Sequence, residues 1–174
     1  HNLLKGLDSM SFVKTQGING PIWTLIALDS HNYPTMGDVT REKLIEIILG
    51  AALEDGGWAL SGTKADPDMT GMAIQALAPY YKTNQAVKEA VDKALDVLSG
   101  LQKDDGGFGS WGTVNSESCA QVIVALTALG LDPTCDSRFV KNGKTPLDAL
   151  AGFYVDGGGF KHVADKGRDG MATE

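Results

Sequence analysis

The sequence predicts an all-α fold built from about three and a half helical hairpins. A glycine–glycine–aromatic motif occurs three times, and successive copies lie 50 and 52 residues apart: Gly56-Gly57-Trp58, Gly106-Gly107-Phe108 and Gly158-Gly159-Phe160. A fixed period of this size is typical of stacked supersecondary units. Apolar and amphipathic helical patterns alternate between the copies, and no segment alternates apolar and polar residues over the length of a strand.

The predicted helices fall into two sets. One set is apolar on most faces, so we expect it to form an inner layer, at residues 20–30, 68–81 and 117–130. The other set has charges on one side and aliphatic residues on the other, and we expect it to form an outer layer, at residues 41–53 and 85–102. The remaining predicted elements are helices at residues 3–14 and 145–154, the second capped by Thr145, and a short turn near 136–141.

Composition and charge narrow the class of protein. A chain of 174 residues is long enough for one domain with a sizeable core, so we expect a single domain over residues 1–174. The net charge of −7, without a Lys/Arg cluster, argues against a nucleic acid or an anionic membrane surface as partner. No apolar run approaches the roughly 20 residues that span a bilayer, so no transmembrane segment is expected.

The third copy of the repeat is incomplete. After its glycine turn only residues 171–174 begin the next inner helix. We therefore expect the natural domain to continue past Glu174, or another chain to complete it. Apolar surface exposed at this open repeat edge could drive self-association.

The two cysteines are expected to be free thiols. Cys119 should open a helix that runs to about residue 129, and Cys135 lies in the loop beyond its far end. Such a helix separates them by roughly 20 Å, which is well outside the reach of a disulfide.

Residues 101–111 (LQKDDGGFGSW) resemble the glutamine–aromatic repeat of the squalene cyclase and protein prenyltransferase superfamily. Residues 53–58 and 154–160 look like further copies, both without the glutamine. The resemblance implies a partial α/α toroid, in which inner and outer helices alternate around a lumen. Within the superfamily, residues 66–70 and 117–121 are most similar to toroid domains of bacterial surface proteins, a group that includes relatives of the cobalamin-carrier helical domains. Membership of that group implies export to the cell surface or secretion.

Asp66-Pro67-Asp68-Met69-Thr70 is similar to the Asp-x-Asp-Asp-Thr motif of class II terpene cyclases. The resemblance implies that Asp68 is a catalytic acid and Asp66 its partner. Such an acid has to be kept protonated by burial and neighbouring carboxylates, and Met69 at the third acidic position removes part of that environment. At 7% aromatic residues, the chain also offers few faces for stabilising carbocations. We favour the simpler interpretation, that Asp68 caps a helix beginning at Met69.

Two metal sites were weighed against structural interpretations. Glu117-Ser118-Cys119 resembles the Asp-x-Cys zinc pair of protein prenyltransferases, and His162 is the only later histidine. We favour a helix start, with Ser116 or Glu117 as cap and Cys119 buried as a small apolar residue. Residues 165–170 (DKGRDG) resemble a calcium loop, but Gly167 stands at position three of the loop, where Asp or Asn is expected, which favours a solvated turn. No metal or cofactor is therefore predicted.

The aromatic residues also divide into two groups. Trp58, Phe108 and Phe160 follow the glycine turns, and their repeat position predicts packing between neighbouring hairpins. Better candidates for a lumen surface are Trp111, which lies three residues after the repeat position of Phe108, and Trp23, which lies on an inner helix.

These observations favour a non-catalytic ligand-binding or scaffolding toroid domain of a bacterial cell-surface or secreted protein. Its predicted binding surface is the lumen mouth, which would take a small-molecule or protein ligand through Asp66, Asp68, Thr70, Glu117, Trp111 and Trp23. One alternative is an enzyme of the terpene cyclase or prenyltransferase type that uses Asp68 as acid. A second alternative, resting on resemblance alone, is a corrinoid-binding module.

Overall fold

The computed structural model describes residues 3–164, and the regular structure of this range is helical. Its only extended pairings within those residues are isolated bridges between Lys141 and Lys144 and between Tyr154 and Phe160. The prediction of an all-α fold is confirmed. The α-helices are α1 (Met10–Val13), α2 (Asn19–Asp29), α3 (Arg41–Gly50), α4 (Pro67–Leu77), α5 (Gln85–Leu101), α6 (Ser116–Ala128) and α7 (Pro146–Ala151).

The amino-terminal segment differs from its prediction as one helix over residues 3–14. A 3₁₀ helix at Leu3–Leu7 is followed by the short α1 and a second 3₁₀ helix at Lys14–Gln16. The break lies at Ser9, which is extended with φ −121° and ψ 116°. There the backbone N–H of Met10 donates to Asp38 Oδ1 at 2.8 Å instead of to a preceding carbonyl. A contact that is distant in sequence therefore replaces a local helical bond.

The helices pack as three hairpins in two layers. Each hairpin joins one helix to the next, as α2 with α3, α4 with α5, and α6 with α7. The first helices of the hairpins also contact one another in series, with α4 between α2 and α6, while α3 contacts α5 on the other side. The closest pairing is α4 with α6, where Gly71 leaves room for the Gln121 carbonyl oxygen 3.0 Å from the place a Cβ would occupy.

Side-chain caps fix where the later helices begin. In all of α3 to α7, a polar side chain just before the helix accepts an N–H from the first turn: Thr40, Asp66, Asn84, Asn115 and Thr145. These bonds satisfy N–H groups that have no partner inside the helix. The predicted cap at Thr145 is confirmed, and the backbone N–H of Thr145 donates to the Asp148 carboxylate.

All three glycine turns have the same pair of backbone hydrogen bonds. In the first, Gly56 N–H donates to Leu53 O and Leu53 N–H donates to Gly57 O, both at 3.0 Å. The same two bonds recur at residues 103–107 and at residues 155–159. The fourth residue of each turn has a positive φ, at 100°, 84° and 105° for Gly56, Gly106 and Gly158. Glycine adopts this conformation without the steric cost of a Cβ, which explains its recurrence.

The aromatic residue after each of the first two turns joins one hairpin to the next. Trp58 and Phe108 are fully buried, which confirms their predicted packing role, and the Trp58 indole N–H donates to Ile48 O at 2.7 Å. Phe160 is half-buried and packs edge-on against Tyr154, with ring centroids 5.8 Å apart. The first two glycine turns are therefore joints between hairpins.

A buried polar side chain from the following inner helix holds each of the first two aromatic residues. Thr70 Oγ1 accepts the Trp58 N–H at 3.0 Å and donates to Trp58 O at 3.1 Å. One repeat later, Cys119 Sγ takes the same position, with the Phe108 N–H at 3.4 Å and Phe108 O at 3.8 Å. We call this paired contact the clasp.

A second contact ties the first hairpin to the second. Asp29, at the end of α2, accepts bonds from Arg41 Nε at 2.6 Å and from the Tyr80 hydroxyl at 2.8 Å. Burial, and then the Asp29 bond, raise the pKa of Tyr80 well above its ordinary value. The hydroxyl therefore remains a donor at physiological pH.

Replacing Gly106 by Ala should strongly destabilise the protein. A Cβ at this position would lie 2.3 Å from the Thr145 carbonyl oxygen, and φ is positive. We expect the free energy of unfolding in urea to fall by more than about 3 kcal/mol. Gly130→Ala is the matched control, because Gly130 also has a positive φ but nothing lies within 4 Å of its Cβ position. It should cost only about 1 kcal/mol, and equal losses would contradict the packing of the turn.

The cysteines should differ in reactivity. Both are free, as predicted. Cys119 is fully buried, and that burial raises the pKa of its thiol to about 11. Cys135 is exposed, although its bond to Asp132 raises the pKa of this thiol too. Because the thiolate is the reactive form, an aromatic disulfide reagent at mildly alkaline pH should label Cys135 alone, and faster as pH rises. Cys119 should react only in denaturant. Two labelled thiols in the native wild type, or any label on native Cys135→Ser, would contradict this expectation.

Candidate functional site

Two adjoining cavities open where α4 and α6 begin. The large cavity has a volume of about 750 Å³, and its apolar wall comes from Ala59, Leu60, Ala65, Met69 and Met72. The second cavity has a volume of about 560 Å³, and we call it the polar cavity after Thr113, Asn115 and His162 on its border. Four residues line both cavities and form the boundary between them: Asp68, Ser110, Trp111 and Glu117.

Asp66 caps α4, and this corrects the prediction that Asp68 does so. Asp66 Oδ1 accepts the N–H groups of Asp68 and Met69, both at 3.0 Å. The helix begins at Pro67 and not at Met69. Proline is favoured at a first helical position because its fixed φ suits the helix and it has no N–H to satisfy. Asp68 therefore lies in the first turn, where the helix dipole stabilises a negative charge.

Asn115 caps α6, in place of the predicted Ser116 or Glu117. Its Oδ1 accepts the Ser118 N–H at 2.8 Å. Asn115 and Glu117 therefore stand in the second repeat where Asp66 and Asp68 stand in the first. Aligning the repeats on the clasp residues Thr70 and Cys119 would have revealed this equivalence from the sequence.

Ser110 joins the two aspartates, a contact that the sequence analysis does not predict. Its hydroxyl lies 2.7 Å from Asp66 Oδ2 and 2.7 Å from Asp68 Oδ2. Because a hydroxyl has one proton, Ser110 can donate to only one of these oxygens at a time. The backbone N–H of Ser110 donates to Ser118 Oγ at 3.2 Å, which fixes the loop against α6. The other oxygen of Asp68, Oδ1, is buried and has no hydrogen-bond partner among residues 3–164.

Glu117 pairs with the predicted histidine. His162 Nδ1 lies 2.7 Å from Glu117 Oε2, and the Ser116 hydroxyl donates to the same oxygen at 3.1 Å. The Ser116 N–H also donates to His162 O at 3.1 Å. These contacts tie the segment after the third glycine turn to the start of α6.

The residues weighed as a zinc site do not converge. Glu117 and His162 are in contact, but Cys119 Sγ is held in the clasp at Phe108. Burial keeps that thiol protonated, with a pKa of about 11, whereas a zinc ligand is a thiolate. Within residues 3–164, no three His, Cys, Asp or Glu side chains lie close enough to hold a metal ion. The segment weighed as a calcium loop, residues 165–170, lies outside the described residues.

Trp111 has the most unusual environment at this site. Its side chain is 95% exposed, and its backbone is left-handed, with φ 58° and ψ 25°. A left-handed bulky residue is a conformational outlier, and such strain is concentrated at functional sites. Trp111 lines both cavities, whereas Trp23 is half-exposed on α2 and lines a separate cavity of about 190 Å³.

The predicted binding residues are thus only partly brought together. Asp66, Asp68, Glu117 and Trp111 line the large cavity. Thr70 is fully buried, holds Trp58 in the clasp and is not part of the cavity lining. The polar lining residues that sequence reasoning missed include Ser110, Asn115, Gln121 and Lys64.

Comparison with known proteins adds no family assignment. No protein-family model matches the chain, and no curated protein is significantly similar to it. Across the described range, the helices are too short or too polar to cross a bilayer.

Replacing Ser110 by Ala should weaken the start of α4. The two carboxylates would face each other without the hydroxyl between them, so we expect the free energy of unfolding to fall by about 2 kcal/mol. Ser137→Ala, at an exposed position, is the control and should change it little. Adding Asp68→Asn should recover part of the loss, since an amide can donate to Asp66. Additive effects of the two substitutions would show that Ser110 does not mediate contact between the aspartates.

Proposed function

We propose that this chain is a non-catalytic ligand-binding domain that takes a small molecule into the large cavity. The observation that carries the proposal is the cavity itself, of about 750 Å³ with an apolar wall and a few convergent polar groups. Sites for small molecules are typically clefts of about 300 to 1,000 Å³ with this kind of lining.

The environment of Trp111 supports the proposal. An indole that is 95% exposed gains little from folding, and its left-handed backbone costs about 1 to 3 kcal/mol. Both costs are explained if the ring contacts a ligand at the cavity rim.

Two carboxylates at the cavity, Asp66 and Glu117, have structural partners. Both oxygens of Asp66 are occupied, one by the N–H groups of α4 and the other by Ser110. Glu117 is held by His162 and Ser116. Groups with these partners position the loops around the cavity without having to exchange protons.

The wider proposal is a partial α/α toroid of a bacterial surface or secreted protein. Three hairpins in two layers are compatible with part of such a ring, and the location rests on the sequence resemblance. Val124 on α6 and Leu147 on α7 are exposed apolar residues of the last hairpin, which supports self-association there. Sedimentation of the wild type and of Val124→Asp would test that contact.

The alternative function, acid catalysis by Asp68, is favoured by one observation. Asp66 and Asp68 share the Ser110 hydroxyl, so the motif residues do meet at a cavity. That alternative requires turnover of a polyprenyl substrate by the wild type and its loss in Asp68→Asn. The corrinoid alternative requires a change in the absorbance spectrum of cobalamin on mixing with the protein.

A neutral apolar probe tests the binding proposal. N-phenyl-1-naphthylamine, excited directly, should become more fluorescent in the large cavity. Met72→Trp should weaken its binding by about tenfold or more, because the larger side chain fills the cavity. Met36→Trp is the matched control, since Met36 is exposed on a loop and is not part of the lining. No enhancement with the wild type, or equal binding by both variants, would refute the proposal.

A further inference from the structure

We infer that the ligand is an amphiphile, with an apolar chain in the large cavity and a positively charged ammonium head group in the polar cavity. This inference rests on the proposed function, because it assigns the chemical class of the molecule that the large cavity takes.

The two cavities adjoin along shared side chains. Asp68, Ser110, Trp111 and Glu117 each line both of them. A molecule that fills the large cavity therefore lies beside the side chains that also line the polar cavity.

The two cavities differ in the side chains that line only one of them. Leu60, Met69 and Met72 lie in the lining of the large cavity alone. Asn115 and His162 lie in the lining of the polar cavity alone. An apolar chain gains free energy by leaving water for the first environment, whereas a polar head group finds hydrogen-bonding partners in the second.

The sign of the charge at the boundary selects the head group. Asp68 and Glu117 are carboxylates, and among residues 3–164 the lining of the polar cavity contains no Lys or Arg. Its basic side chain, His162, contacts Glu117 Oε2. Lys64 belongs to the large cavity only. A sulfate or phosphate head group would meet like charges in a confined space, while an ammonium group would meet opposite ones.

The exposed indole at the boundary also fits a cation. The Trp111 ring lines both cavities, and an indole face attracts a cation through its quadrupole. An ammonium group beside Asp68 and Glu117 would also contact this ring.

Three octyl compounds that share one chain and differ in head group test the inference. Octylammonium, 1-octanol and octyl sulfate, at concentrations that form no micelles, would be titrated against protein loaded with N-phenyl-1-naphthylamine. We expect octylammonium to displace the probe at a concentration about tenfold lower than 1-octanol, and octyl sulfate to be the weakest. Equal displacement by all three would overturn the head-group inference and leave the proposed function standing. Failure of the probe to bind would overturn the proposed function instead.

Isosteric substitutions then locate the charge effect. In the double variant Asp68→Asn/Glu117→Gln, octylammonium and 1-octanol should displace the probe at similar concentrations. If that double variant does not fold, Glu117→Gln alone should lower the ratio of the displacing concentration of 1-octanol to that of octylammonium. This single variant leaves the Asp66–Ser110–Asp68 contacts in place. Glu46→Gln removes the same charge from the exposed face of α3 and should leave the ratio unchanged. A ratio that falls equally in Glu46→Gln would assign the preference to net charge and overturn the inference.

Discussion

The clasp between an inner helix and the preceding glycine turn sets the geometry on which the site depends. Thr70 Oγ1 bonds both the N–H and the carbonyl of Trp58, and all of these groups are buried. Because Thr70 lies one turn inside α4, its contact with Trp58 fixes the distance between the start of α4 and the preceding glycine turn. The cap Asp66 and the following Asp68 are placed at the cavity by that distance. A buried hydroxyl is costly without partners, so this arrangement has few low-energy alternatives.

Much of the fold could be predicted because its signals are local and repeated. The hydrophobic period marked α2 to α6, and the joint position identified Trp58 and Phe108 as buried. The helix starts were harder, since Asp66, Pro67 and Asp68 can each begin a helix and only the backbone conformation selects one. The prediction of a single amino-terminal helix was wrong because the bond from the Met10 N–H to Asp38 spans 28 residues. Ser110 was missed for the same reason, as its contacts with Asp66 and Asp68 span 44 and 42 residues.

The two repeats also show how equivalent positions acquire different partners. Asp68 and Glu117 each lie in the first turn of an inner helix, at the same distance from the clasp. Asp68 contacts Ser110, and Glu117 contacts His162. Ser110 and His162 each lie two residues after the aromatic residue of the following glycine turn. The repeat therefore determines where each carboxylate and its partner lie, and the side chain at the partner position determines the chemistry of the contact.

Those loops carry the features of the site that the repeat does not explain. Each runs from an aromatic residue to a helix cap, and both of its ends are fixed, at the joint and at the clasp. Between these fixed ends, the loops are free to differ in length and composition. One loop includes the exposed Leu60, and the other includes the left-handed Trp111. Loops on a rigid scaffold are where binding groups are concentrated, because their changes cost the core little. The same buried contacts that make the architecture predictable thus allow the surface around the cavities to change, so the repeat by itself cannot specify a ligand.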